Sequence, residues 1–212
     1  APVFGRSFLL AFIATVICIL LGYPMAYFLA RERGRLRNMA TMLIMLPMWM
    51  NFLLRTYSWV FLLERNGFFN TLLETIGLPK LDIIDTQGAV VLGMVYNFLP
   101  FMVLPIFSVI EKLDHRLIEA AQDLGANSTQ VFRRVIFPLS LPGVLSGVTM
   151  VFIPSVSTFV ISRLLGGGKS LLLGDLIEMQ FLGAAYNPHL GSAISLVMMV
   201  IVLVCMGVMN RF

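Results

Sequence analysis

Apolar residues along the chain gather into long stretches that match the length of membrane-crossing helices. A bilayer core about 30 Å thick needs roughly 20 apolar residues in a helix, and four stretches meet that length: Ser7–Ala30, Met39–Leu63, Gly88–Ile110 and Leu190–Asn210. A fifth, roughly Leu139–Ile161, contains two prolines, which membrane helices tolerate when neighbouring groups bind the freed carbonyls. The pattern predicts an all-α integral membrane protein, with five spans in one transmembrane domain over residues 1–212.

A shorter apolar stretch, Ser170–Leu182, lies between the last two spans. About a dozen residues are too few to cross the bilayer, and this length is typical of a re-entrant or interfacial helix. The preceding residues Gly166–Ser170 match only the end of a phosphate-binding loop, because position 163 is arginine where that motif requires glycine, and no strand precedes it. We therefore predict no nucleotide site here.

Charged residues in the connections predict which ends of the spans face the cytoplasm. The turn Arg31–Arg37 carries four arginines, and the connection Glu111–Arg134 carries three arginines and a lysine. Short loops rich in Lys and Arg stay on the cytoplasmic side. The connection Glu64–Gln87 has four acidic residues against two basic ones and is predicted to lie outside. Five spans then put the beginning of the chain and the stretch Ser170–Leu182 outside, and the end of the chain inside.

Composition excludes other classes of protein. The chain is 58% hydrophobic and 12% charged, with a mean hydropathy of +0.91, which a soluble domain of this size does not hide in one core. The net charge of +4 comes from basic residues scattered in short loops, which argues against nucleic acid as a partner. Cys18 and Cys205 lie within apolar stretches, where cysteine behaves as a small hydrophobic residue. No metal site is predicted, because His115 and His189 stand alone.

The second cytoplasmic connection contains a short amphipathic pattern. Apolar or small residues recur at intervals of three and four, which predicts a helix with one shallow stripe made of Leu117, Ala120, Ala121 and Leu124. Small side chains let another protein approach closely, and the adjacent Glu119 suits a basic partner. The same periodicity is equally typical of a linker that lies on lipid headgroups, so the pattern leaves both interpretations open.

The residues that follow predict a turn and a second helix. Gly125 is expected to end the first helix, as glycine commonly does just past a helix end. Asn127 with Gln130 three residues later is a typical helix cap. The segment is therefore predicted to form a helix-turn-helix that lies parallel to the membrane surface.

The spacing of these residues resembles a known motif. Glu119-Ala-Ala, Gly125, Ile136-Phe-Pro138-Leu139 and Pro142-Gly143 are similar to the EAA loop of binding-protein-dependent ABC importer permeases. The resemblance implies that residues 111–138 form a coupling loop, whose helix sits in a cleft of an ATPase subunit. It assigns the ATPase contacts to Glu119, Ala120, Ala121, Gly125 and Pro138.

Three further segments resemble the spermidine/putrescine importer permeases within that family: Asn51–Tyr57, Leu99–Pro105 and Ile110–Asp114. This resemblance implies a bacterial inner-membrane permease for polyamines, which pairs with a second, different permease subunit. Such permeases typically have six spans, so we expect a first span to be missing from this sequence.

The same resemblance defines the partners and the chemistry. It implies an extracytoplasmic substrate-binding protein and two ATPase subunits, which hold ATP and magnesium, while this chain binds no cofactor and catalyses no reaction. Three alternatives stay open from the sequence: an ion-coupled transporter or channel, a non-transporting membrane scaffold that anchors a partner, and an ABC importer permease for another small solute such as thiamine, iron or sulfate.

A polycation crossing the membrane favours carboxylates and aromatic faces. Asp175 and Glu178, three residues apart in the short outer helix, are the acidic candidates for the substrate path, and solvation or docking of the binding protein is the alternative. The aromatic candidates are Tyr57, Trp59 and Tyr96, for which anchoring at the membrane interface is the alternative.

Other intramembrane residues receive structural interpretations. Arg55 is a charge within a span and calls for a partner; because a fixed positive charge would repel a polyamine, we expect an ion pair or a binding-protein contact. The polar residues Asn97, Ser155, Ser157 and Thr158 are expected to form hydrogen bonds between helices. Gly143 and Gly147 have the spacing that allows close helix contact.

Overall fold

The computed structural model describes residues 2–32, 34–168, 171–183 and 186–209 of the chain. These residues form helices joined by short connections and one π-helical turn, Phe132–Ile136, that lies between α7 and α8. The helices are α1 Pro2–Arg31, α2 Arg35–Trp49, α3 Phe52–Leu63, α4 Phe68–Thr75, α5 Gln87–Glu111, α6 His115–Asp123, α7 Ser128–Val131, α8 Phe137–Ser157, α9 Val160–Leu165, α10 Leu173–Leu182 and α11 Pro188–Met209.

The described part of the chain has four spans, or the predicted five if one pair of helices that meet at a bend counts as a span. Four helical segments in the described residues have the length and apolarity of a span: Val3–Arg31, Gln87–Glu111, Ser128–Ser157 and Pro188–Val208. A fifth arises if α2 and the segment Phe52–Thr75 count together, although the two meet at 96°. Position 210, the predicted end of the last span, lies outside the described residues.

The prediction of one continuous helix over Met39–Leu63 is wrong. The chain leaves the helix at Met50, whose backbone is extended, and Asn51 caps the next helix by accepting a hydrogen bond from the Leu53 amide at 2.8 Å. Pro47 lies in the last turn of α2. The Nη1 of Arg55 donates a hydrogen bond to the Pro47 carbonyl, which holds the two half-helices at the bend.

The predicted span Leu139–Ile161 is also shifted. Its helix begins eleven residues earlier, at Ser128, and runs to Ser157 through the π-helical turn. Thr158 is extended and ends it, so α9 is a separate short helix. The second helix of the predicted helix-turn-helix is therefore the beginning of this span rather than a separate helix along the surface.

The core consists of α1, α5 and α8, which pack closely through glycines. A Cβ added at Gly143 would lie 2.9 Å from the Pro105 carbonyl oxygen, and one at Gly147 would lie 2.7 Å from the Met102 sulfur and 3.2 Å from its carbonyl oxygen. The predicted close contact at these two glycines is confirmed. Met102 and Ile106 are fully buried at the same seam.

Polar side chains within the spans bond mostly to their own helix, contrary to prediction. Asn97 Nδ2 donates to the Gly93 carbonyl at 2.8 Å, Ser155 to Val151 at 2.7 Å and Ser157 to Ile153 at 3.2 Å. Their donors take carbonyls one turn back because these lie within reach of a short side chain. A buried hydrogen bond between the side chains of two spans joins Tyr23 to Ser140 instead.

Two surfaces of the bundle remain apolar and exposed. Helix α2 buries no residue, and its exposed side chains include Met39, Met42, Leu43, Leu46 and Trp49. Helix α11 is almost wholly exposed, since only 6% of its most apolar stretch is buried. Apolar surface of this extent is stable in lipid or against another protein.

Candidate functional site

Helix α6 is defined at both ends by local hydrogen bonds. Asp114 Oδ1 accepts from the Arg116 amide at 3.0 Å and begins the helix. At the other end the Gly125 amide donates to the Gln122 carbonyl at 2.8 Å, and the Ala126 amide to the Ala121 carbonyl at 3.0 Å. Gly125 has φ +83°, the left-handed conformation in which a Schellman helix end places glycine. The predicted stop at Gly125 is confirmed.

The outer face of α6 carries most of the predicted stripe. Leu117 is 49% and Leu124 89% exposed, and Ala120 and Glu119 are exposed as well. Ala121 lies at the edge of the stripe nearest to Ile118, and these two half-buried side chains pack against the core. The exposed apolar surface of the helix is therefore narrower than the sequence predicts, and Leu124 is its most exposed member.

The turn after α6 is fixed by a capping box. Asn127 Oδ1 accepts from the Gln130 amide at 2.9 Å, and Gln130 Oε1 accepts from the Asn127 amide at 3.0 Å. The predicted cap is confirmed. The loop thereby leads directly into the span that begins at Ser128.

Pro138 lies exposed in the first turn of α8, directly after the π-helical turn. Because proline has no N–H and its ring clashes with the carbonyl four residues back, a regular α-helix is disfavoured just before it. The Phe137 amide donates instead to the Phe132 carbonyl, five residues back. Such π-helical turns are rare in proteins, and those that occur are often found at functional sites.

The predicted coupling loop and the arginine-rich turn Arg31–Arg37 lie at the same end of the bundle. Arg37 Nη1 and Glu111 Oε1 form an ion pair at 2.7 Å, as the charge pattern predicts for two connections on one side. A cavity of about 170 Å³ lies behind α6, lined among others by Tyr27, Arg31, His115 and Gln122. Helix α6 therefore rests on the core through Ile118 and Ala121, with open space beside them.

At the opposite end, the two predicted acidic residues of α10 both have protein partners. Asp175 is 6% exposed; its Oδ2 accepts a hydrogen bond from the Ser162 hydroxyl and one from the Leu172 amide at 2.9 Å. Burial raises the pKa of the Asp175 carboxyl above its usual range, and these two hydrogen bonds oppose the rise. Glu178 binds Arg163 Nη1 with both oxygens, at 2.7 and 2.8 Å.

These contacts join α10 to α9. The short helix predicted outside the spans is confirmed as α10, Leu173–Leu182. Position 170, its predicted beginning, lies outside the described residues. The predicted role of Asp175 and Glu178 in a substrate path stays a prediction.

The predicted aromatic candidates are only partly brought together. The rings of Trp59 and Tyr96 meet edge-on with centroids 5.1 Å apart, and Phe69 stacks on Trp59 at 6.3 Å. Tyr57 is 47% exposed and belongs to the outer surface of α3. Their roles in a substrate path likewise stay predictions.

Arg55 is 7% exposed although it carries a charge. Its guanidinium lies 6.0 Å from the centroid of the Phe52 ring and donates to the Pro47 carbonyl. No ion pair to Arg55 occurs among the residues that the structure describes, and the expected ion pair or binding-protein contact stays a prediction. The negative end of the α2 helix dipole takes the place of a carboxylate.

Sequence reasoning missed the contacts by which the coupling loop is attached to α1. Tyr23 and Tyr27 pack against Phe132, and Tyr23 bonds to Ser140 at 2.8 Å. Two tyrosines four residues apart near the cytoplasmic end of a span are the signal that was available. In the described residues no group of three or more His, Cys, Asp or Glu has the arrangement of a metal site.

Solved structures with this fold are membrane transporters. The chain superimposes with a TM-score of 0.79 on a bacterial ABC transporter involved in the import of the acidic polysaccharide alginate, covering 100% of this chain and 79% of that one at 18% identity. An inward-facing MetNI methionine ABC transporter gives 0.74, with 99% and 92% covered, also at 18% identity. The fold is therefore that of the membrane subunits of type I ABC importers.

Sequence comparison identifies the family. Residues 18–212 match the family described as the binding-protein-dependent transport system inner membrane component, and this chain belongs to it. The chain is 43% identical over 198 residues to the spermidine/putrescine transport system permease protein PotB of Haemophilus influenzae, covering 92% of this chain and 69% of the relative. The PotB protein of Escherichia coli K12 is 42% identical, with 92% and 72% covered. The predicted family resemblance and the predicted location in the inner membrane are confirmed.

Proposed function

We propose that this chain is one of two membrane subunits of an ABC importer for polyamines such as spermidine and putrescine. The observation that carries the proposal is the identity of 42–43% to PotB permeases over 92% of this chain. An alignment of 198 residues, 92% of this chain, supports a common substrate class as well as a common architecture.

The geometry of α6 supports its role as the contact with an ATPase subunit. It presents Leu117, Ala120 and Leu124 to the exterior, at the end of the bundle that also carries the arginine-rich turn. Exposed apolar side chains with an acidic neighbour, here Glu119, suit a cleft with an apolar floor and a basic rim. Because α6 begins and ends at fixed caps, it can be moved as a rigid element.

In this proposal the chain supplies alternating access rather than chemistry. ATP and magnesium belong to two ATPase subunits, and an extracytoplasmic binding protein delivers the polyamine. Closure of the ATPase pair displaces α6 and biases the membrane core between its two states. The glycine seam of α5 and α8 moves as one unit, since its backbones are in contact at Gly143.

The outer elements offer two features that suit a polycation. Glu178 retains 20% exposure beside Arg163, and Trp59 with Tyr96 presents aromatic surface for cation–π contact. Asp175 is turned inward and holds α10. We therefore propose Glu178 and the Trp59–Tyr96 pair as the better candidates for contact with a passing polyamine.

The experiment is uptake by proteoliposomes that contain both permeases and the ATPase, supplied with binding protein and radiolabelled spermidine or putrescine. We expect uptake that requires internal ATP and is not inhibited by an excess of thiamine or sulfate. Vesicles that lack the ATPase are the control. Uptake in those vesicles, driven by an ion gradient, would contradict the proposal and favour an ion-coupled transporter, and ATP-dependent uptake of another solute alone would contradict the substrate class.

A further inference from the structure

Four aromatic side chains join the cytoplasmic part of α1 to the junction between the coupling loop and α8. They are Tyr23, Tyr27, Phe132 and Phe137, called the aromatic joint below. Phe132 begins the π-helical turn and Phe137 begins α8. The two tyrosines are four residues apart and therefore face the same side of α1.

The rings of the aromatic joint hold the π-helical turn against α1. The Phe132 ring is edge-on to Tyr23, with centroids 5.9 Å apart and planes at 85°, and to Tyr27, at 5.2 Å and 80°. Tyr23 also lies 5.7 Å from Phe137. Edge-to-face pairs at these separations are favourable beyond their buried area, so both ends of the turn are attached to the same helix.

A directed hydrogen bond accompanies the rings. Tyr23 Oη lies 2.8 Å from Ser140 Oγ, and Ser140 Oγ donates to the Phe137 carbonyl at 2.9 Å. Because a serine hydroxyl has a single proton, Tyr23 is the donor in the first bond. Tyr23 is 8% and Ser140 0% exposed, so water does not compete for this contact and its geometry is well defined.

We propose that Tyr23 is a positioning residue of the transport cycle, which makes α1 and the start of α8 move as one body when α6 is displaced. The proposal rests on the coupling role of α6 proposed above. Helix α6 has a cavity of about 170 Å³ behind it, whereas the π-helical turn has direct contacts to α1. A displacement of the loop therefore reaches α1 through the aromatic joint, since coupling is carried by packed elements in contact.

The test is Tyr23→Phe in the complete transporter, reconstituted with the ATPase, the second permease and the binding protein. The variant keeps the ring and removes the donor, while Ser140 keeps its bond to the Phe137 carbonyl. We expect the number of spermidine molecules taken up per ATP hydrolysed to fall about two- to tenfold, with the ATPase still bound after purification. Tyr186→Phe, which removes an exposed hydroxyl at a residue that is 70% exposed, is the matched control and should keep the ratio of the wild type.

A double-mutant cycle separates positioning from general destabilisation. Ser140→Ala should lower the same ratio, and the double variant should be no worse than the more affected single variant, because the bond between Tyr23 and Ser140 is absent in all three. Ser146→Ala is the control, since the Ser146 hydroxyl donates within its own helix, to the Pro142 carbonyl 2.9 Å away. The inference would be overturned if the losses of the two single variants added up in the double variant, or if Tyr23→Phe kept the wild-type ratio. It would also be overturned if uptake fell only in proportion to the amount of assembled complex. Failure of the wild-type complex to take up polyamine would contradict the proposed function itself, whereas a working wild type with a fully coupled Tyr23→Phe variant contradicts only the role of Tyr23.

Discussion

The amide of Ala126 donates a hydrogen bond to the carbonyl oxygen of Ala121, 3.0 Å away, around Gly125 at φ +83°. The end of α4 repeats this arrangement: the Leu78 amide donates to the Leu73 carbonyl at 2.9 Å around Gly77 at φ +80°. The two helix ends have the same geometry, but only the first lies in the coupling loop. The chain therefore contains its own control for the function of that loop.

The variants Gly125→Ala and Gly77→Ala should have the same backbone strain but different rates of ATP-dependent uptake. A Cβ at either position meets nothing within 4 Å, so the cost is that of a left-handed backbone, about 1–2 kcal/mol. We expect similar small decreases in the thermal unfolding midpoint for both variants. ATP-dependent uptake should fall strongly in Gly125→Ala alone, because the shifted turn moves α6 relative to its partner.

Uptake and unfolding midpoints of the two purified complexes test this prediction. Equal uptake by both variants would remove the special role of Gly125. If Gly125→Ala no longer inserted into the membrane, the glycine would be needed for folding rather than for coupling. The amount of each variant in the membrane is therefore measured in parallel.

Gly143→Ala should destabilise the membrane core. Its Cβ would lie 2.9 Å from the Pro105 carbonyl oxygen and 3.1 Å from the Ile106 Cα, and backbone atoms in a packed seam cannot yield locally. We expect a loss of about 1–3 kcal/mol, measured by thermal unfolding in detergent. Gly207→Ala, where a Cβ meets nothing within 4 Å, is the control. Equal unfolding midpoints of the two variants would be inconsistent with a tight seam.

Arg55→Met should loosen the bend between α2 and α3. It removes the donor to the Pro47 carbonyl, and the loss of a buried charged hydrogen bond costs about 1.5–3 kcal/mol. Arg65→Met is the control, because the Arg65 side chain is 75% exposed in its pair with Asp82 and such pairs contribute about 0–1 kcal/mol. Unfolding in detergent measures both, and an unaffected Arg55→Met variant would show that the bend does not depend on this contact.

Asp175 variants separate a structural role from a role in the substrate path. Asp175→Ala removes the acceptor for the Ser162 hydroxyl and the Leu172 amide, and we expect a loss of about 1–3 kcal/mol. Asp175→Asn keeps an acceptor and should recover much of that stability. If the carboxylate also guides the polycation, the KM for spermidine rises in Asp175→Asn; an unchanged KM would contradict its place in the path.

Much of the fold follows from the sequence because its spans are long and apolar. Helices α1, α5 and α11 lie where the apolar stretches predict them, and the ends of α6 follow from Gly125 and from the Asn127–Gln130 cap. These features are local, since a glycine in the left-handed region or a side-chain cap needs no distant partner. The ends of the helix inside residues 111–138 therefore follow from the sequence, while the coupling role of that loop stays a prediction.

What the sequence did not reveal depends on contacts between distant residues. Met39–Leu63 satisfies the length of a span, and the signals of its break, Pro47 and Asn51, are also found in continuous membrane helices. At the bend, Arg55 reaches back and donates to the Pro47 carbonyl, a contact that the apolar pattern does not indicate. Likewise Ala121 belongs to the predicted stripe by periodicity, but packing against the core turns it inward.

The central claim, that α6 docks on an ATPase subunit, is tested most directly by photo-crosslinking from single positions of the assembled transporter. A photoreactive amino acid is introduced at Leu124, which is 89% exposed, and at Leu182, which is 82% exposed at the opposite end of the bundle. We predict a light-dependent product with the ATPase subunit from position 124 and none from position 182. The absence of that product from position 124, or its formation from both positions, would contradict the docking of α6 on the ATPase.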